Sequence, residues 1–109
     1  MIRIFVSAII AFSFSAQAEE GIASWYGREN YISSSGKKLN HKTPAAAHRT
    51  LPLGSRVRVT STRTKKSVVV VIEDRGPYKK QRIIDVNKTA AMKLGMVKSG
   101  TARVIVEKL

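Results

Sequence analysis

The apolar residues come in short runs broken by polar, glycine- and proline-containing turns, and most runs have the spacing of strands rather than of helices. Ile22-Ala23-Ser24-Trp25-Tyr26 reads as a short strand ending at Gly27, and Arg28 to Asn40, rich in Ser, Asn, Gly and Lys, as a long surface loop. Ala45-Ala46-Ala47-His48 is a short buried stretch, and Pro52 and Gly54 bracket a turn. From Arg56 to Thr60 basic residues alternate with Val57 and Val59, as in a half-buried strand. After a polar turn at Thr62 to Lys66, Ser67 to Glu73 carries the unbroken core Val68-Val69-Val70-Val71-Ile72, which predicts a strand covered on both faces. Asp74-Arg75-Gly76-Pro77 breaks that strand, and Arg82 to Val86 forms another. One helix is predicted: Asn87 caps Lys88 to Leu94, and Gly95 ends it. Thr101 to Glu107 is the last strand, with Ala102, Val104 and Val106 on one face. Six short strands and one helix in so short a chain fit a small closed barrel, because closure removes the edges that would otherwise pair with other chains.

The N-terminus departs from this pattern. Arg3 precedes an uncharged apolar run from Ile4 to Phe14, and Ala16-Gln17-Ala18 follows. A positive start, a short apolar run and small residues spaced A-x-A predict a secretory signal peptide over residues 1–18, cut before Glu19. The run is too short for a membrane span, which takes about 20 residues, so no transmembrane anchor is expected. No cysteine lies near the cut to carry a lipid. The expectation is an exported, periplasmic protein with one domain over residues 19–109. With no cysteine and two histidines, that domain has no disulfide, and neither a zinc site nor another cofactor is expected. The formal net charge of +13, from 20 basic and 7 acidic residues, attracts polyanions. Outside the inner membrane these are peptidoglycan stem carboxylates and lipid or lipopolysaccharide headgroups rather than nucleic acid. The basic residues are also scattered, at Lys37-Lys38, Arg56, Arg58, Lys65-Lys66, Lys79-Lys80, Lys88, Lys93 and Lys98, and much of that charge is a solvated surface.

Several stretches resemble the RlpA (rare lipoprotein A) family, in its order and with about its spacing. They are Gly21 to Gly27, Ala46-Ala47-His48-Arg49-Thr50-Leu51-Pro52-Leu53-Gly54, Val57 to Thr60, Asp74-Arg75-Gly76-Pro77-Tyr78, Arg82 to Lys88 and Gly100 to Val104. The resemblance implies a mainly β fold, a six-stranded double-psi β-barrel with one or two short helices. It also implies an endolytic lytic transglycosylase that cuts MurNAc–GlcNAc bonds of peptidoglycan to 1,6-anhydromuramyl ends. The expected partners are glycan strands, with other cell-wall or division proteins as further candidates, and a monomer is expected.

The candidate site follows from the same stretches. Asp74 ends an apolar strand, where a carboxylate at a barrel mouth can give or take a proton. On the residues alone it is equally an Asp that caps its own turn or pairs with Arg75. His48, after three alanines, is either a satisfied core histidine or a cleft residue. The resemblance makes Asp74 and His48 catalytic and sets them in one groove. Of Trp25 and Tyr26, one packs in the core and the other is free to stack on a sugar. Tyr78 resembles an aromatic beside the family's cleft, and Thr50, with Arg49, is a cleft-wall donor. Asp85 is expected to be structural, paired with Arg75 or Arg82 or accepting from the backbone. Where the family has Gly-Glu, with the Glu as second active-site acid, this chain has Gly36-Lys37. Lysine cannot replace a carboxylic acid as proton donor, so Lys37 and Arg75 are expected to hold substrate. Glu29 is the one carboxylate in the preceding loop. The substitution opens an alternative: an expansin-like barrel that binds peptidoglycan with little or no turnover.

Overall fold

In the computed structural model, which describes residues 17–27 and 42–109, six strands close into a barrel. They are β1 (Glu19–Tyr26), β2 (Ala45–His48), β3 (Arg56–Ser61), β4 (Ser67–Asp74), β5 (Arg82–Asn87) and β6 (Thr101–Lys108), with one helix, α1 (Lys88–Leu94), between β5 and β6. Around the barrel the order is β1-β5-β2-β4-β3-β6, and β6 pairs back with β1. Two pairs are parallel, β1 with β5 and β2 with β4, and the other four are antiparallel. This interleaved, closed arrangement is the double-psi barrel that the sequence leads one to expect.

The core forms because each strand turns alternate residues inward. Val57, Val59, Val68, Val70, Ile72, Ile84, Val86, Val104 and Val106 meet Ala23 and Ala46 inside the barrel. Ala90, Ala91, Leu94 and Met96 join the same cluster from the helix side. The cap of α1 is the one predicted: Asn87 Oδ1 accepts from the Ala90 amide at 3.0 Å, and Gly95 takes a left-handed conformation with φ 72°. Asn87 Nδ2 also donates to the Thr43 carbonyl at 2.7 Å, which ties the helix start to the approach to β2.

Two expectations are corrected. The valine run of β4 is not covered on both faces: Val68, Val70 and Ile72 point in, Val69 is half-buried and Val71 is exposed. The barrel has a single interior, and the outside of this strand is open at Val71. The first strand begins at Glu19 rather than Ile22, because Glu19, Glu20 and Gly21 pair with Val106, Ile105 and Val104 of β6. That pairing, more than eighty residues away along the chain, leaves no local signal.

Candidate active site

The loop from Asp74 to Tyr78 crosses one opening of the barrel opposite the end of β1. Between them lies a cavity of about 530 Å³, lined by Trp25, Tyr26, Gly27, Ala47, Asp74, Arg75, Gly76, Pro77, Tyr78 and Asp85. Its floor follows from strand register. Ala47 of β2 pairs with Asp74 of β4 on one side and with Asp85 of β5 on the other. The two carboxylates therefore flank one small side chain, with their backbones roughly 10 Å apart, two strand spacings. A methyl group between them leaves the space that a larger residue would fill. A register shift between Ala46 and Ala47 sets this pairing. Bulges of this kind re-aim side chains at barrel rims.

The two acids are held differently. Asp74 is 5% exposed and accepts the Arg75 amide on Oδ1 at 2.8 Å, so the turn-capping geometry read from the sequence is present alongside its place in the cavity. Asp85 sits in a strand between buried Ile84 and Val86 and accepts the Ser24 hydroxyl on Oδ1 at 3.0 Å. Burial pushes the Asp85 carboxyl above its ordinary value, and the Ser24 hydrogen bond and the charge of Arg82 offset part of that rise. A carboxyl that keeps its proton longer than usual is a proton donor in waiting. Of the partners expected for Asp85, Arg82 is the one that acts on it, through charge. Its hydrogen bond comes from Ser24 on β1.

The rim is aromatic. Trp25 packs partly against the core, whereas Tyr78 is 78% exposed at the cavity edge. Gly76 has φ 117°, a conformation only glycine takes readily, and it brings the loop round so that Tyr78 faces the opening. Arg75 lines the cavity, but its Nη1 donates to the carbonyls of Leu51 at 2.7 Å and His48 at 3.1 Å. That nitrogen holds the fold instead of reaching for a ligand.

The expectation of one groove shared by Asp74 and His48 is not met. His48 and Thr50 line a second cavity of about 470 Å³ with Gln17, Ala18, Glu19, Leu51, Val106 and Lys108. The reason is strand alternation: Ala47 turns toward the carboxylates, and the next residue turns away. The His48 ring is buried, with Nε2 3.0 Å from Glu19 Oε1 and Nδ1 accepting the amides of Thr50 and Leu51, each at 3.1 Å. Lys37, Glu29 and Gly36 lie outside the described residues. Asp85, read from the sequence as structural, lines the same cavity as Asp74. The available signal was a lone acid within an apolar strand.

Comparison with known proteins places the chain in a family. Residues 18–106 match the family described as "Lytic transglycolase". The chain is 49% identical over 94 residues to the probable endolytic peptidoglycan transglycosylase RlpA of Nostoc sp., covering 83% of this chain and 25% of that one. It is 48% identical over 93 residues to the endolytic peptidoglycan transglycosylase RlpA of Neisseria meningitidis, covering 84% and 39%. To that of Vibrio cholerae it is 46% identical over 91 residues, covering 82% and 35%. The chain thus spans between a quarter and two fifths of the length of these relatives. Among solved structures, the Streptomyces papain inhibitor superposes with a TM-score of 0.69 at 18% identity, covering 86% of this chain and 96% of that one. A Clavibacter michiganensis expansin superposes with a TM-score of 0.68 at 15% identity, covering 84% and 50%. These two share the fold; the sequence match over nearly the whole barrel does more, and the chain belongs to the lytic transglycolase family.

Proposed function

We propose that this barrel cleaves the glycan strands of peptidoglycan as an endolytic lytic transglycosylase, with Asp85 and Asp74 as its working pair. The observation that carries the reading is the placement of two carboxylates on either side of Ala47 in one aromatic-rimmed cavity, one of them raised above its ordinary value by burial. The names of the sequence relatives support the substrate class.

In this mechanism the protonated Asp85 carboxyl gives its proton to the oxygen that leaves with GlcNAc as the bond to muramyl C1 breaks. The muramyl 6-hydroxyl oxygen bonds to that same carbon, and its proton passes to Asp74 acting as the base. The product is a 1,6-anhydro end, no water is consumed, and exchange with solvent resets both acids. Each proton transfer contributes on the order of 10²–10⁴-fold in rate. Tyr78 and Trp25 offer ring faces to the sugars, and Tyr26 completes the wall. Division of labour between two acids makes the family's Glu, replaced here by Lys37, dispensable for the chemistry. Lys37 and the other basic residues then serve attraction to stem-peptide carboxylates.

Peptidoglycan lies outside the cytoplasm, and residues 1–18 are proposed to direct export to the periplasm and to be removed before Glu19. No helix among the described residues is long and apolar enough to cross a membrane. The deciding experiment incubates the purified protein with murein sacculi and analyses soluble products by mass spectrometry. Release of 1,6-anhydromuramyl fragments, lost in both Asp85→Asn and Asp74→Asn, is the expected result. Sacculus binding without such fragments would favour instead the binding barrel that Lys37 suggests.

A further inference from the structure

We propose that His48 is a positioning residue for the two carboxylates, acting through a pair of crossed arginines, and takes no part in proton transfer. The proposal rests on the reading of Asp74 and Asp85 as the reacting acids.

The ring nitrogens of His48 are both engaged. Nδ1 accepts two backbone N–H groups, from Thr50 and Leu51, so it carries no proton. The proton is therefore on Nε2, which donates to Glu19 Oε1 at 3.0 Å. The ring organises the turn that follows β2, and two arginines tie this turn to the loop that follows β4. From the loop, Arg75 Nη1 donates to the carbonyls of His48 and Leu51, while the Arg75 amide donates to Asp74 Oδ1. From the turn, Arg49 reaches the other way: its Nε donates to the Pro77 carbonyl, and its Nη2 to the carbonyls of Lys79 and Arg82, both at 2.7 Å. Arg82 begins β5, the strand that carries Asp85.

The end of β4 and the start of β5 are thus fastened to one short turn, and the His48 ring is what that turn folds around. Loss of the Nδ1 acceptor would release the two amides of Thr50 and Leu51, loosen both carbonyls that hold Arg75, and free Asp74 from a fixed orientation. Displacement of a catalytic group by about 1 Å is enough to cost on the order of 10²-fold in rate. This explains why the Ala-Ala-His-Arg-Thr-Leu-Pro and Asp-Arg-Gly-Pro-Tyr stretches work as one device although their titratable side chains line different cavities.

Three variants test the proposal. His48→Asn keeps an acceptor where Nδ1 lies and cannot carry a proton between groups. His48→Gln keeps a donor toward Glu19 and loses that acceptor, and His48→Ala loses both. Turnover on sacculi and its pH profile are measured with hydrogen exchange of the Arg75 amide by NMR. His48→Asn is expected to stay within about fivefold of the parent in kcat, with an unchanged pH profile. His48→Gln and His48→Ala are expected to fall by about 10²-fold, with faster exchange at Arg75. Equal inactivity of the Asn and Ala variants, or loss of a limb of the pH profile in His48→Asn, would overturn the proposal. If His48→Ala fails to fold, His48→Gln serves in its place. If the parent protein gives no turnover, the reading of the acids fails separately, and the exchange measurement still decides: unchanged protection of Arg75 in His48→Gln would sink the positioning role.

Discussion

Two cavities of similar size open on the two sides of β2, and their contrast is informative. On the side of Ala47, Asp85 is half-buried with one hydroxyl donor, and burial raises its carboxyl above the ordinary value. On the side of His48, the titratable ring is more deeply buried, but the chain supplies two amides and a carboxylate to it. A buried polar group whose hydrogen bonds are all supplied internally stabilises the fold. One whose burial is only partly compensated stores a displaced equilibrium that chemistry can draw on. Residue type alone does not separate the two; the count and source of partners do.

The contrast can be broken most severely at Asp85. Asp85→Asn keeps an oxygen to accept from Ser24 and removes the proton donor, so release of anhydromuramyl products should drop by about 10²–10⁴-fold. The same variant should melt no lower than the parent at neutral pH, because it no longer buries a charge. The sign is definite. A folded-state pKa raised above 3.8 gives stability that is present at low pH and lost as pH rises through the raised value. Melting curves taken from pH 4 to 7 should therefore move in favour of Asp85→Asn as pH increases. Parent activity should decline over the same rise, as the acid loses its proton.

Next in size is Ala47→Leu, which fills the floor between the two acids. A fall in turnover of about 10²-fold is expected from displaced substrate, with overpacking costing about 1–3 kcal/mol in denaturant unfolding. Normal turnover in this variant would show that the substrate does not sit between Asp74 and Asp85. Tyr78→Ala tests the rim: loss of an exposed ring should leave stability within about 0.5 kcal/mol and weaken sacculus binding in pull-down assays. The smallest effect is expected on the other side of β2. Glu19→Gln, at a half-exposed partner of His48, should change stability by no more than about 1 kcal/mol and leave turnover intact.

The barrel was legible because its evidence is local: alternation at Arg56 to Thr60, the valine run of β4, and an Asn-to-Gly bracket around α1 all act within a few residues. The site was legible only in part. Asp74 and Tyr78 announce themselves by following a strand and a Gly-Pro break. The roles of His48 and Asp85 depend on which way β2 faces after its register shift, and on a Ser24 partner 61 residues from Asp85. Residue type made His48 look reactive and Asp85 look structural. On the assignment proposed above, those roles are exchanged.

The strand order has a consequence for how this molecule comes into being. The first strand has only the last two as neighbours, and the last strand also closes the gap beside β3. The ring therefore cannot be completed until residues 101–108 have left the ribosome. Until then the leading segment can have only one of its two partners, β5, and its other flank stays open. A stop codon before Thr101 would strand both β1 and β3 with open flanks, turning a closed ring into two sticky margins.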